Sequence, residues 1–352
     1  MLSLLSDLVN IPSLTGDEGK IADFLTSFLK NEGFTVELWP IHPGSERRNI
    51  YAYFGSTRTN KFLFTTHIDT VPPFIPFSGP DANQNVFGRG TCDAKGAAVV
   101  QIQAAKELFA ESVVKEGDLA LLLVVGEEID GVGMKNASKM GLKWENIVFG
   151  EPTEGKLALG HKGILLLELS TTGKACHSGY PHLGSSANHA LIPILKQFLD
   201  LELPTDSKLG PSTINIGTMH GGEAPNILSP SASATISIRV STSFETIKTS
   251  ALRILSEHPS VSYKILAEYP PPRLYSDVPG FETINVGFGT DIPFLEGHDV
   301  DNVKRFLYGP GSIFVAHTSE EFVSLGELEA CKNGYKKLVA QHLHVPSSGS
   351  HS

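Results

Sequence analysis

The sequence is poor in cysteine, in basic residues and in long apolar runs, and each shortage excludes a class of protein. Its 352 residues include three cysteines, too few for a disulfide framework, and their odd number favours a reducing compartment. The 28 Lys and Arg residues against 38 Asp and Glu residues give a net charge of −10, which excludes nucleic-acid binding through the overall field. No apolar stretch reaches membrane-spanning length. We therefore expect a cytoplasmic protein with no nucleic-acid or membrane partner.

The composition is that of a folded protein with a sizeable core. Hydrophobic residues make up 41% of the chain and charged residues 19%, which excludes wholesale disorder. The length suits one large domain or two ordinary ones. Residues 1–10 are apolar on one helical face and lack a basic segment, so they predict a short helix rather than a signal peptide. Residues 346–352 are predicted to be a disordered tail.

Helical and strand patterns alternate through the first half of the chain. Apolar residues at helical spacing predict helices, and continuous apolar runs predict buried strands. The predicted elements are helices over 17–31 and 94–112, and strands over 49–55, 61–69, 119–125 and 147–149. This alternation predicts an α/β sandwich.

The rhythm changes near residue 163. Strand and helix patterns follow in the order β-α-β-β-α-β, over 164–172, 186–201, 212–219, 231–240, 244–257 and 261–268. This order predicts a ferredoxin-like inserted domain over 163–269. The first domain is then discontinuous, 1–162 and 270–345, and ends in a helix over 325–343.

Acidic residues and histidines follow several predicted strands, at the edge of an open α/β sheet where sites form. His67 and Asp69 are two apart, so on a strand they point the same way. A metal-bound imidazole usually donates its other N–H to a carboxylate. His67 and Asp69 supply both parts, although the pattern does not show which carboxylate contacts which nitrogen. Asp93 begins a predicted helix, where it could cap the helix or present a carboxylate that bridges two ions. Each of these residues alone also fits a polar loop.

Two adjacent carboxylates, Glu127 and Glu128, follow the predicted strand over 119–125. At the end of a buried strand such a pair is unfavourable unless it is neutralised. An extended backbone would point the two side chains in different directions, one to a metal and the other to the substrate as a proton carrier. A solvated acidic loop is the alternative.

Glu151 and His317 complete the set, although alone they are an ordinary turn acid and loop histidine. Two histidines and three acidic residues form the nitrogen and oxygen ligand set of hydrolytic zinc, cobalt or manganese sites. A paired site would use one carboxylate as a bridge and a further carboxylate to act on the water between the ions.

The order of these motifs resembles that of a known family. HIDTVP, GRGTCDAKGA, GEE, GEPT and AHTSEE follow one another along the chain. This order resembles the co-catalytic zinc metallopeptidase family of acetylornithine deacetylase, succinyl-diaminopimelate desuccinylase, aminoacylase and carboxypeptidase G. The resemblance runs from LVNIPSLTGDE to His317. It implies a zinc-binding α/β catalytic domain and an inserted lid domain through which a homodimer forms.

The resemblance also implies a set of metal ligands. His67 and Glu151 resemble the ligands of one zinc, Glu128 and His317 resemble those of the other, and Asp93 resembles the bridging ligand. The implied cofactors are two Zn²⁺ ions, with Co²⁺ or Mn²⁺ as alternatives.

Five further residues resemble functional positions of the family. Asp69 resembles the partner that supports His67, and Glu127 resembles the general base that moves a proton from water to the leaving amine. His177 resembles a histidine that stabilises the oxyanion, either in its own subunit or across the dimer. Asn226 and Arg239 resemble substrate-binding residues, although Arg239 also fits an ion pair on the strand surface. Residues 289–291 resemble a loop near the substrate.

The resemblance points to hydrolysis of an amide bond in a small substrate. In this family a glutamate at position 151 accompanies deacylases and carboxypeptidases, and the GEPT and GPGS segments most resemble the acetylornithine deacetylase branch. We expect removal of an N-acetyl or other N-acyl group from an amino acid such as acetylornithine or acetyllysine, in arginine or lysine metabolism. A carboxypeptidase or dipeptidase is the first alternative.

Two remoter alternatives make opposite predictions about the site. A catalytically inactive binding or assembly protein should have lost a ligand or the base, whereas every expected position is filled here. A serine or cysteine hydrolase would be insensitive to chelators, and the chain has no nucleophile-elbow pattern.

Overall fold

The structure is a computed structural model that describes residues 1–343. The predicted tail over 346–352 lies outside these residues. No helix within 1–343 combines the length and the apolar character needed to cross a bilayer. The α-helices of this part of the chain are α1 Leu2–Asn10, α2 Gly19–Asn31, α3 Lys95–Ala110, α4 Val132–Ala137, α5 Ala187–Leu199, α6 Phe244–Ser256 and α7 Leu325–His342.

The strands follow the same chain order. They are β1 Thr35–Pro40, β2 Arg48–Tyr53, β3 Phe62–His67, β4 Asn85–Phe87, β5 Leu119–Val124, β6 Asn146–Phe149, β7 Leu157–Ala158, β8 Gly163–Thr172, β9 Thr205–Asp206, β10 Gly210–Pro211, β11 Thr213–Gly221, β12 Ser231–Val240, β13 Val261–Tyr269, β14 Thr283–Ile284, β15 Lys304–Leu307 and β16 Phe322–Ser324.

The chain divides into two compact units. Of the described residues, the first comprises 1–159, 273–284 and 290–343, and the second comprises 160–272 and 285–289. The second unit is longer than the insert expected over 163–269. Its extra segment packs inside it, since a Cβ on Gly289 would lie 2.6 Å from the Tyr269 hydroxyl. That contact is between residues far apart in sequence, so sequence pattern could not show it.

The first unit is built around a six-stranded mixed sheet of order β1-β2-β5-β3-β6-β15. The four strands β5, β3, β6 and β15 run parallel, and β2 and β1 add antiparallel strands at one edge. Every residue of β3 and β5 is buried, as expected for central strands covered on both faces. The LALLLV run of β5 therefore forms a strand because both of its faces are enclosed by apolar neighbours.

Helices α3 and α7 pack against each other, and α3 also packs on β3 and β5. The side of α3 that faces the core contains alanine and valine, whose small volume lets the helix approach the sheet. Eleven of the 16 residues of α3 are buried. Helix α7 begins at a true cap, where the Ser324 hydroxyl accepts the Glu327 N–H at 3.1 Å, satisfying an otherwise unpaired donor of the first turn.

The parallel strands place their carboxyl ends at one edge of the sheet. β3 ends at His67, the chain leaves β5 into residues 126–131, and it leaves β6 into Gly150 and Glu151. Because neighbouring parallel strands share an edge, the side chains that follow them come together there.

The second unit is a four-stranded antiparallel sheet of order β11-β12-β8-β13 with helices α5 and α6. Alternate residues of β8 and β12 are buried, and they pack with α5 and α6 in one apolar core. In chain order this is β-α-β-β-α-β, so the predicted fold class is confirmed: an α/β domain with a ferredoxin-like insert.

The predicted elements differ from the observed ones mainly at their ends. The predicted strand over 49–55 ends at Tyr53, before Gly55 at a φ of +80°. The predicted helix over 94–112 ends at Ala110, before Ser112 at a φ of +58°. The sequence pattern missed β1, a half-exposed edge strand that lacks the continuous apolar signal of β3 and β5.

Candidate metal centre

The candidate ligands lie on loops that leave the carboxyl edge of the first unit's sheet. His67 is the last residue of β3, and Asp93 stands two residues before α3 begins. Glu128 and Glu151 follow β5 and β6, and His317 comes from the segment between β15 and β16. The predicted ligands thus belong to one unit, although they are spread over 251 residues of sequence (67 to 317, inclusive).

One group of side chains contains His67, Asp93 and Glu151. The Nε2 atom of His67 lies 3.0 Å from Asp93 Oδ1 and 3.9 Å from Glu151 Oε1, and all three residues are buried. The Nδ1 atom of His67 is 2.9 Å from the backbone carbonyl of Asp69. A carbonyl can only accept, so Nδ1 carries a proton and donates it, which leaves Nε2 as the ring nitrogen that faces the two carboxylates.

A second group contains Asp93, Glu128 and His317. The Nε2 atom of His317 lies 3.2 Å from Asp93 Oδ2 and 3.1 Å from Glu128 Oε2. About half of the His317 side chain is exposed, so solvent reaches this group. Asp93 is common to both groups and turns one oxygen to each histidine, which is the geometry that a bridging carboxylate requires.

Charge in the two groups is strongly unbalanced. Burial, with the charges of neighbouring carboxylates, raises the pKa of Glu151 well above its usual value against the attraction of His67. Burial opposes ionisation of Asp93 too, but hydrogen bonds from His317 and His67 outweigh it and lower the Asp93 pKa. Hydrogen bonds to Asp93 and Glu128 raise the pKa of His317 to about 10. The carboxylates of both groups therefore favour positive charge beside them, as the raised pKa of His317 shows.

The donor set fits divalent cations. Within residues 1–343, the atoms of each group lie within 4.8 Å of one another, and zinc binds histidine nitrogen and carboxylate oxygen at about 2.0–2.2 Å. A cation between them would neutralise buried carboxylates that the two histidines only partly compensate. The structure therefore brings the five predicted residues into two groups that share Asp93, each with one histidine.

Glu127 and Glu128 lie in a turn rather than on the extended backbone expected from the sequence. We call residues 126–131 the acidic turn. The N–H of Gly131 closes it by donating to the carbonyl of Gly126 at 2.8 Å. Gly126 has a φ of +77°, a backbone conformation that favours glycine. Burial, together with the charge of Glu151, raises the pKa of Glu127 well above its usual value. A raised pKa suits a carboxyl group that must both take and give a proton.

Asp69 lies beside His67, as the spacing predicted, and its carboxylate makes further contacts that the spacing could not show. Its backbone carbonyl, not its carboxylate, is the hydrogen-bond acceptor for His67, and Asp69 Oδ1 is 3.6 Å from His67 Nδ1. The carboxylate instead accepts the backbone N–H groups of Glu127 at 3.1 Å and Glu128 at 3.2 Å. Residue spacing indicated the proximity of His67 and Asp69 but could not show this pairing with a distant turn.

Sequence reasoning missed Glu321, which supports the loop that carries Asp93. Its Oε1 accepts the N–H groups of Gly90, Cys92 and Asp93 at 2.9–3.1 Å. Its Oε2 accepts from Arg89 Nη1 at 2.5 Å. Both residues of this ion pair are buried. The AHTSEE segment contained the signal, but only the fold shows which of its two glutamates turns inward.

Asp291 is a further buried carboxyl group of the first unit. Burial raises its pKa to about 7, and it interacts electrostatically with His67 and Glu127. The resemblance had indicated this segment, residues 289–291, as a loop near the substrate.

The remaining predicted residues lie in the second unit. His177 and Ile227 face each other in an antiparallel bridge, and the N–H of Ser178 donates to the carbonyl of Asn226 at 2.8 Å. The structure therefore brings His177 and Asn226 to neighbouring positions. Arg239 lies on β12, half-buried, and forms no ion pair within residues 1–343, so the surface ion pair considered for it is absent from the described part of the chain.

Comparison with known proteins places this chain in a family. A family profile described as a peptidase dimerisation domain matches residues 159–260. A peptidase M20 domain-containing protein of Schizosaccharomyces pombe is 46% identical, over 97% of this chain and 85% of that protein. A probable carboxypeptidase of Aspergillus flavus is 41% identical, over 97% of this chain and 90% of that protein. The chain therefore belongs to the M20 peptidase family.

A solved structure agrees with the fold. The M20 family metallo-carboxypeptidase Sso-CP2 of Sulfolobus solfataricus superposes with a TM-score of 0.76, over 98% of this chain and 99% of that one, at 17% identity. At that identity the likeness is one of fold. The class of protein is thus a member of the M20 peptidase family with a mixed α/β fold and a dimerisation domain.

Proposed function

We propose that this protein is a two-metal hydrolase that removes the C-terminal residue from a short peptide, as a carboxypeptidase or dipeptidase. The observation that carries this proposal is the position of Asp93 between two histidine-containing groups, with Glu127 beside them in the acidic turn. The names of relatives that are 46% and 41% identical favour a peptide substrate.

We assign His67 and Glu151 to one ion, Glu128 and His317 to the other, and Asp93 to both. Zinc suits this set of nitrogen and oxygen donors, and Co²⁺ and Mn²⁺ are alternatives. When bound, the ions would lower the pKa of water and polarise the amide carbonyl.

The proton is moved by the protein's own carboxylate. Glu127 accepts a proton from the attacking water and then delivers it to the nitrogen of the leaving amine, so one residue acts as base and then as acid. The raised Glu127 pKa supports this double role, since a strongly acidic carboxyl group would take up the proton poorly.

Residues of the second unit are proposed to bind the substrate. The guanidinium of Arg239 suits a two-pronged contact with a substrate carboxylate, and its lack of an ion-pair partner within the described residues supports this role. His177 and Asn226 are proposed to donate hydrogen bonds to the substrate, with His177 at the developing oxyanion. We also propose that the chain forms a homodimer through its dimerisation domain.

A second candidate is an N-acyl amino-acid deacetylase that uses the same site. The sequence resemblance of the GEPT and GPGS segments supports it, whereas the positions of Glu151 and His317 in the two groups fit both candidates. Both candidates cleave an amide bond beside a free carboxylate, so only the substrate separates them.

The experiment is a substrate panel with zinc-loaded protein and a Glu127→Ala blank. The panel holds free dipeptides, the same dipeptides with a blocked amino terminus, N-acetylornithine and N-acetyllysine, and amine release is measured. Cleavage of blocked and free dipeptides supports a carboxypeptidase, and cleavage of free dipeptides alone supports a dipeptidase. Faster cleavage of an acetylated amino acid would replace the proposal by the deacetylase. Failure on every substrate, with two metal ions bound, would favour the inactive binding protein.

A further inference from the structure

The Asp69 carboxylate serves the acidic turn more than it serves His67. It accepts the N–H groups of Glu127 and Glu128, one on each oxygen, whereas His67 Nδ1 already donates to the Asp69 carbonyl. The turn's own hydrogen bonds satisfy the N–H groups of Asp130 and Gly131. The orientation of the proposed base and of one proposed ligand thus depends on an acceptor outside the turn.

Thr15 fixes that acceptor in place. Its hydroxyl donates to Asp69 Oδ2 at 2.8 Å, on the same oxygen that receives the Glu128 N–H. A hydroxyl donor to a charged acceptor makes a strong hydrogen bond. Asp69 is fully buried, so water could not easily replace the hydroxyl.

Thr15 is itself held beside the end of β3. The Ser13 hydroxyl donates to the carbonyl of Ile68 at 2.8 Å, and the N–H of Thr70 donates to the carbonyl of Ser13 at 2.9 Å. The N–H of Thr15 donates in turn to the carbonyl of Thr70 at 3.2 Å. Residues 13–15 therefore form a short parallel ladder beside residues 68–70, which sets the Thr15 side chain against Asp69.

We infer that Thr15 and Asp69 are positioning residues for the acidic turn: through two backbone N–H groups they set the direction of the Glu127 and Glu128 carboxylates. This inference rests on the proposed function, and neither residue touches the reacting atoms. It predicts an asymmetric effect. When the hydrogen bond between Thr15 and Asp69 is removed, the group with Glu128 and His317 should lose order. The group with His67 and Glu151 should not, because His67 keeps its hydrogen bond to the Asp69 backbone carbonyl.

The test removes the Thr15 hydroxyl without changing the size of the side chain. In Thr15→Val we expect kcat to fall about 10- to 100-fold, the range for residues that support metal ligands, with KM little changed. Titration of metal-free protein with Co²⁺, followed by visible absorption, should show one ion bound as in the wild type and the other bound more weakly by a similar factor. Thr15→Ser, which keeps the hydroxyl, should restore both values.

Thr26→Val is the matched control. Thr26 is a buried threonine, and its hydroxyl donates to the Ala22 carbonyl at 2.6 Å within α2. This variant should keep wild-type kcat and bind both Co²⁺ ions normally. Asp69→Asn is the second test, because it retains the backbone carbonyl that holds His67 while replacing one carboxylate oxygen with an amide nitrogen. It should reproduce the asymmetric metal binding of Thr15→Val.

The outcomes separate this inference from the proposed function. Wild-type protein that binds no second Co²⁺ ion overturns the proposed function and the inference together. Wild-type protein that binds two ions, beside Thr15→Val protein with unchanged kcat and affinities, overturns the inference alone. Equal weakening of both ions in Asp69→Asn would also overturn it, because that result would mean that the carboxylate acts through His67.

Discussion

At the scale of single residues, Glu127 and Glu151 illustrate how crowding of carboxyl groups can indicate a functional site. Glu151 is buried and Glu127 half-buried. Beyond the effect of burial, the charge of Glu151 raises the pKa of Glu127, and the charges of other nearby carboxylates raise the pKa of Glu151. Such crowding is unfavourable for folding alone. It becomes useful when cations and a transferable proton occupy the site.

The first prediction separates proton transfer from metal binding. Glu127→Gln keeps the size of the side chain but cannot accept the proton, so we expect kcat to fall about 100- to 10,000-fold. Because the change also removes one of the mutually repelling carboxyl groups, the metal-free variant should melt no lower than the wild type. Steady-state kinetics, Co²⁺ titration and calorimetry check these points. Lost Co²⁺ binding in this variant would show that Glu127 is a ligand instead.

The second prediction concerns the buried pair of Glu321 and Arg89. Glu321→Ala leaves the Arg89 guanidinium and three backbone N–H groups without their acceptor, and we expect the free energy of unfolding to fall by about 3–5 kcal/mol. Denaturant unfolding measures this change. The neighbouring Glu320, whose side chain is exposed, provides the control, and Glu320→Ala should unfold like the wild type. Equal stabilities for the two variants would contradict the role of Glu321.

At the scale of elements, the start of α3 is shaped by close approach to the loop before it. A Cβ on Gly96 would lie 2.2 Å from the carbonyl oxygen of Thr91, a distance at which backbone must move. That loop continues directly into Asp93. The glycine therefore lets the helix begin immediately after the proposed bridging ligand.

The third prediction uses this contact. Alanine favours a helix over glycine by about 1 kcal/mol, yet Gly96→Ala should destabilise the protein and weaken Co²⁺ binding, because the new methyl group displaces the loop of Asp93. Gly326→Ala is the matched control, since Gly326 lies in the first turn of α7 and a Cβ there meets nothing within 4 Å. It should leave metal binding unchanged and raise stability slightly. Thermal unfolding with and without Co²⁺ distinguishes the two; a stabilised Gly96→Ala protein with normal binding would refute the argument.

Elements with a strong local pattern could be predicted from the sequence, and contacts between distant segments could not. The apolar run of β5 and the helical spacing of α6 predicted those elements to within one or two residues, because burial of one continuous surface decides them. The weakly patterned edge strand β1 was missed. The inward turn of Glu321 and the bond between Asp69 and the acidic turn join segments 58 to 232 residues apart. The roles of the site residues as metal ligands or positioning residues remain predictions.

At the scale of the whole molecule, the two groups of acidic residues predict that stability depends on bound metal. An ion that binds only the folded state stabilises it by about 2.7 kcal/mol at a free concentration of 100 times its Kd, and removing the ions also leaves buried carboxylates in mutual repulsion. We therefore expect a chelator to lower the melting temperature and abolish activity, and zinc to restore both. Calorimetry and kinetics before and after dialysis measure this. Full activity in chelator would favour the nucleophile hydrolase instead.

The order of the site along the chain has a consequence for synthesis on the ribosome. His67, Asp93, Glu128 and Glu151 all emerge before the second unit, whereas His317 follows it. Glu321, which holds the Asp93 loop, emerges only four residues after His317. A nascent chain that has not passed this point lacks both a proposed ligand of one ion and the residue that supports the proposed bridging carboxylate. Translation therefore delays a complete two-ion centre until the second unit has left the ribosome, and a truncated product cannot assemble one.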